Sequence, residues 1–99
     1  MGIMKPSIVL QANREAIRRA VARYPVCNLR VFGSVIHESD REGSDLDLLV
    51  DPLPGTTLFD LGAMQLELEA VLGIPVEVLT PGDLPKKFRE RVIREALPV

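Results

Sequence analysis

A chain of 99 residues is sized for one domain, residues 1–99, with a modest core, because so short a chain buries roughly 60–65% of the surface it exposes when unfolded. Apolar residues make up 46% and charged residues 26% with a net charge of −2, Trp is absent and Tyr24 is the one tyrosine, so neither the cationic surplus nor the aromatic platform of a dedicated nucleic-acid binder is present. A lone cysteine (Cys27) and a lone histidine (His37) exclude a disulfide framework and a Cys- or His-rich metal site, and without a leader-like N-terminus or an apolar run of about 18 residues the expected location is the cytoplasm, with no membrane contact.

The first predicted element is a helix over residues 7–23. Pro6 and Ser7 mark its start, Val9, Leu10, Ala16, Ile17, Ala20 and Val21 recur at helical spacing, and Pro25 stops it. Asn13 offers an alternative, as the cap of a second helix; one continuous helix is the preferred reading. Cys27 is expected to be a buried or half-buried small apolar residue. Leu29-Arg30-Val31-Phe32 reads as a short strand ending at Gly33-Ser34. Residues 35–44 are polar and aperiodic, with a turn at Glu42-Gly43-Ser44. Leu46 to Val50 is apolar apart from Asp47, the pattern of a central strand covered on both faces.

After Pro52-Leu53-Pro54-Gly55, Thr56 or Thr57 is placed to cap a helix from Leu58 to Leu72, and Gly73 to end it. Its inward stripe is read as Leu58, Leu61, Met64, Leu68, Val71 and Leu72, its outward face as Asp60, Gln65, Glu67 and Glu69. Val76-Glu77-Val78-Leu79 is a third strand. Asp83 is a candidate cap for a last helix from about Leu84 to Ala96, whose cations Lys86, Lys87, Arg89, Arg91 and Arg94 outnumber Glu90 and Glu95. Those cations read as a solvated face, or as a contact for an acidic partner or a nucleotide. Alternating helices and strands give an α/β fold: a small mixed β-sheet with helices packed on it.

Asp45 and Asp47 are the chemically informative pair. With a side-chain period of two, both point to one side of a strand. Two carboxylates so placed repel and raise each other's pKa unless a cation holds them ionised. A hard divalent ion with oxygen ligands, Mg²⁺ above all, suits them. A phosphoryl or nucleotidyl transfer site wants a third acid, and Glu77 is the one later acid set inside an apolar strand. Asp40 and Asp51 are weaker candidates. Upstream, Gly33-Ser34 gives a small residue and a hydroxyl where backbone can approach a phosphate.

Gly33-Ser34, with Ser44-Asp45-Leu46-Asp47-Leu48-Leu49-Val50 beginning ten residues after Ser34, resembles the signature of the minimal nucleotidyltransferase family, part of the DNA polymerase beta-like superfamily. The resemblance spans the chain from Leu29 to Glu77. It implies that Gly33, Ser34 and Ser44 bind the nucleotide, that Asp45 and Asp47 hold two Mg²⁺ ions, and that Glu77 is the third ligand or catalytic base. The implied reaction is attack on the α-phosphorus of ATP with departure of pyrophosphate. Small members of the family resemble the antitoxin half of HEPN toxin–antitoxin pairs, transferring AMP to a tyrosine of the HEPN ribonuclease. The acceptor would then be a HEPN-domain partner, in a heteromer or beside a homodimer.

The sequence departs from the family pattern twice. Val35-Ile36-His37-Glu38 stands where a basic residue and a glycine are common, and Glu77 stands where Asp is common. These departures motivate the alternative of a catalytically weak or inactive antitoxin that neutralises its toxin by binding alone. A third reading, a small-molecule nucleotidyltransferase, asks for more chain to shape an acceptor pocket.

Overall fold

The computed structural model describes residues 4–99; the N-terminal reading about a leader falls partly on residues 1–3, outside the described residues. Helix α1 runs Pro6–Val21, strand β1 Val26–Phe32, β2 Leu46–Pro52, helix α2 Leu58–Leu72, β3 Val76–Leu79, helix α3 Lys86–Glu95 and β4 Leu97–Pro98, with single 3₁₀ turns at Gly33–Val35 and Pro81–Asp83. The strands form one mixed sheet in the order β3-β2-β1-β4. β1 is antiparallel to β2 and to β4, while β2 and β3 are parallel, joined by α2 as the crossover that parallel pairing requires. No helix among the described residues is long and apolar enough to cross a membrane.

The central strand divides the molecule. Leu46, Leu48 and Val50 face one way and join Val31, Val76 and Val78 from the neighbouring strands, Ile17 and Ala20 from α1, and Met64 and Leu68 from α2 in the main core. Asp47, Leu49 and Asp51 alternate to the other face, where Leu49 is also fully buried. Both faces of this strand are therefore engaged, as its apolar run predicts.

Local chemistry sets α2 closely. Thr57 caps it, its hydroxyl accepting from the Asp60 N–H while the Asp60 carboxylate accepts from the Thr57 N–H, and Gly73 ends it in the left-handed region at φ 71°. The expected inward stripe is corrected at two positions. Leu58 is 82% and Val71 52% exposed, with Phe59 (89%) and Leu66 (68%) beside them on an uncovered apolar face. Of the expected stripe, Met64 and Leu68 lie in the core and Leu61 and Leu72 pack against it. The expected outward polar residues correct in the opposite sense. Gln65 and Glu69 accept hydrogen bonds from the N–H groups of Val78 and Val76, and Glu67 accepts from the Tyr24 hydroxyl. β3 is an edge strand, and its outer donors need acceptors that the helix supplies.

Four further differences have local causes. α1 carries a break at Asn13 (φ −124°, ψ 19°), where the side-chain amide donates to the Val9 carbonyl instead of capping a new helix. β1 begins at Val26 and bulges between Cys27 and Arg30, with Asn28 at φ 55°, which leaves Cys27 exposed rather than buried. Asp83 closes the 3₁₀ turn by accepting from the Thr80 N–H, so Pro85 stands at the cap of α3 in its place. Residues 97–98 leave the last helix to pair with β1.

Candidate active site

The acids come together across the strand register. β2 and β3 pair with Asp47 opposite Glu77, and Phe32 of β1 lies opposite Asp47 on the other side. Asp45, just before β2, joins them, and the three carboxylates each offer an oxygen within 4.8 Å of the others. Asp45 and Glu77 are exposed and Asp47 is half-buried between them.

The two weaker acidic candidates have other partners. Asp51 pairs with the buried Arg30 at 2.6 Å and also accepts from the Asn28 amide. The Asp40 carboxylate accepts the Ser7 N–H at 2.9 Å and so caps the first turn of α1 from 33 residues away.

Burial, the neighbouring carboxylates of Glu77 and Asp45, and a hydrogen bond with Glu77 push Asp47 up to about 6. Three oxygen-donor carboxylates at this spacing, repelling one another, match a hard divalent cation in donor type and in charge. The sign of the pH dependence follows. Because the folded-state pKa of Asp47 lies above its ordinary value of 3.8, the folded chain holds the proton more tightly, and this stabilisation is lost as pH rises from about 4 through about 6. In EDTA, Asp47→Asn is expected to raise the melting temperature at pH 8 and to leave it unchanged near pH 4. Adding MgCl₂ at pH 8 is expected to raise the melting temperature of the wild type but not of the variant. Parallel thermal melts check both, and an unchanged difference across the pH range would refute the assignment.

Gly33 is built into this cluster. Its φ is +76°, and a Cβ there would overlap the Asp47 carboxylate and lie 3.2 Å from Cγ. The glycine thus lets the chain turn left-handed with its backbone against the Asp47 side chain. Ser34 follows in the turn, its carbonyl accepting from the Ser39 N–H at 2.9 Å. The Ser44 hydroxyl accepts the Arg41 N–H at 3.0 Å, closing the turn that delivers the chain to Asp45. Glu38 sits at φ 53° and lines a recess with Ser7 and Arg14 on the α1 side; it is not among the residues that line the cavity beside Gly33. His37 instead lines that cavity and lies 3.4 Å from Glu95 of α3.

The cavity measures about 390 Å³ and extends from Gly33 and Phe32 beneath α3. Sequence reasoning missed it because it weighed the cations of α3, as a solvated face or as a contact for an acidic partner or a nucleotide, and not the apolar residues between them. The available signal was Leu84, Phe88 and Val92 at four-residue spacing.

Residues 14–99 match the profile of the nucleotidyltransferase domain family. A protein of Methanocaldococcus jannaschii, provisionally named a protein adenylyltransferase, is 36% identical over 77 residues, covering 78% of this chain and 83% of its own. The protein adenylyltransferase MntA of Thermococcus cleftensis is 31% identical over 89 residues, covering 90% of this chain and 87% of its own. Among solved structures, one provisionally described as a minimal nucleotidyltransferase superposes with a TM-score of 0.82 at 43% identity, over 94% of this chain and 95% of its own. A toxin–antitoxin crystallised with AMP-PNP shares the fold at 15% identity, with a TM-score of 0.74 over 87% of this chain and 71% of that one.

Proposed function

This chain belongs to the nucleotidyltransferase domain family, and on that premise we propose that it is a single-domain, Mg²⁺-dependent antitoxin of the cytoplasm that transfers AMP from ATP to a tyrosine of a partner HEPN ribonuclease. The carrying observation is the cluster of Asp45, Asp47 and Glu77 with Gly33 packed against Asp47. The related protein named an adenylyltransferase from Thermococcus cleftensis supports the reaction class, and the toxin–antitoxin neighbours of the same fold support the partner class. A chain that leaves Phe59 and Leu66 in water also has apolar surface for a partner to cover.

In this reading Asp45, Asp47 and Glu77 hold two Mg²⁺ ions. When bound, such ions neutralise charge developing on the phosphates. Gly33 and Ser34 present backbone and hydroxyl to the triphosphate, and Ser44 holds the turn that places Asp45 beside it. Glu77, exposed at the rim, is available to take the proton of the acceptor hydroxyl. The acceptor oxygen forms a bond to the α-phosphorus of ATP as the bond to pyrophosphate breaks. Glu38 lines a different recess from the cavity beside Gly33.

The test uses α-³²P-ATP and Mg²⁺ with the HEPN protein encoded beside this chain as acceptor. Label is expected on a tyrosine of the partner. Neutralisation of the toxin without any label would replace this reading with the binding-only antitoxin.

A further inference from the structure

Helix α3 is amphipathic, yet none of its residues is fully buried. Phe88 and Val92, one turn apart on it, line the cavity of about 390 Å³ whose opposite wall is Phe32 and Leu79 of the sheet. This pocket, partly open to solvent, is walled mainly by aromatic and aliphatic groups and lies in the range, about 300–1,000 Å³, of small-molecule sites.

Its position narrows what it holds. Gly33 belongs to the cavity wall and to the metal cluster at once. Phe32, the next wall residue, pairs across the sheet with Asp47. A polyanion held at Gly33 and the carboxylate cluster therefore has this apolar space adjoining its bound end. His37, Arg91 and Glu95 also line this space. Arg91 stands 5.6 Å from the Phe88 ring centre, and Glu95 lies between Arg91 at 4.0 Å and His37 at 3.4 Å. A flat heteroaromatic ring with a few polar edge atoms fits apolar walls that carry a few polar groups.

We propose that the cavity beneath α3 holds the base of the donor nucleoside triphosphate, with Phe88 and Val92 as its roof and Phe32 and Leu79 as its floor. This rests on the nucleotidyl-transfer reading and adds to it the part of the donor that α3 recognises. The contact of Glu95 with His37 ties α3 to the segment that follows Gly33.

The test compares binding of MgATP with binding of magnesium tripolyphosphate, which keeps the polyanion and lacks the nucleoside, by calorimetry on the full chain. The wild type is expected to bind MgATP about tenfold or more tightly than the tripolyphosphate, the scale of one base stacked on an aromatic wall. Val92→Phe, which fills the cavity from α3, is expected to remove most of that preference and to leave tripolyphosphate affinity unchanged. Equal wild-type affinity for the two ligands would overturn the proposal and leave the nucleotidyl-transfer reading intact. Equal loss of both ligands in Val92→Phe would also overturn it. Failure of the wild type to bind either ligand would overturn this proposal and the reading beneath it together. The wild-type comparison decides the matter even if the variant does not fold.

Discussion

Asp47→Asn is expected to cut AMP transfer by about 10³-fold or more while the chain stays folded. Asp47 is the half-buried centre of the cluster, with Asp45 and Glu77 within 4.8 Å on either side. Asn keeps the volume and one oxygen but removes one of the negative charges with which the proposed site would hold a divalent cation. Cation-based charge stabilisation is worth several kcal/mol at the transition state, and each 1.4 kcal/mol or so is a factor of ten in rate. Asp45→Asn is expected to act in the same direction. The fold is spared because the core lies on the opposite face of β2, at Leu46, Leu48 and Val50. Initial rates with labelled ATP, beside a thermal melt of each variant, provide the check. Rates within tenfold of wild type in a folded Asp47→Asn protein would remove the carboxylate cluster from the chemistry.

Gly33→Ala is expected to damage stability and transfer together. At φ +76° any residue with a Cβ pays about 1–2 kcal/mol. The new methyl would also overlap the Asp47 carboxylate, forcing one or the other to move. A displacement of about 1 Å at a reacting centre is enough to cost about 10²-fold in rate. The two causes separate in a double-mutant cycle. In an Asp47→Ala background the overlap is gone, so Gly33→Ala should cost only its backbone strain. Denaturant unfolding of the four proteins measures this, and a full loss that persists with Asp47→Ala would show that the packing against Asp47 is not the cause.

These expectations rest on residues of two kinds. Some were legible in the sequence because their signal is local. Asp45 and Asp47 share a side because a strand repeats every two residues, and Glu77 stands out because a charge inside Val76-Glu77-Val78-Leu79 is anomalous. The ends of α2 follow from Thr57, Asp60 and Gly73, each acting within a turn of itself. The family signature rests on spacing along one short segment, and the matching of residues 14–99 to the nucleotidyltransferase family agrees with it.

Others depend on which distant segments meet, and no local pattern encodes that. Asp40 looked like a spare loop acid, and only the fold brings it to the Ser7 N–H. Asp51 could have been the third carboxylate until the β1–β2 register set it against Arg30. Leu58 and Val71 carry the composition of core residues, yet the sheet is too small to reach around α2 and cover them. The cations of α3 hid the apolar cavity beneath it. The sequence by itself therefore determined the element types, the acidic pair, the candidate third acid and the glycine turn, since propensity, periodicity and charge act within a few residues. Tertiary structure decided which acids cluster, which are spent on Arg30 and Ser7, and where open space remains, because those outcomes depend on strand register and packing between segments far apart in the chain.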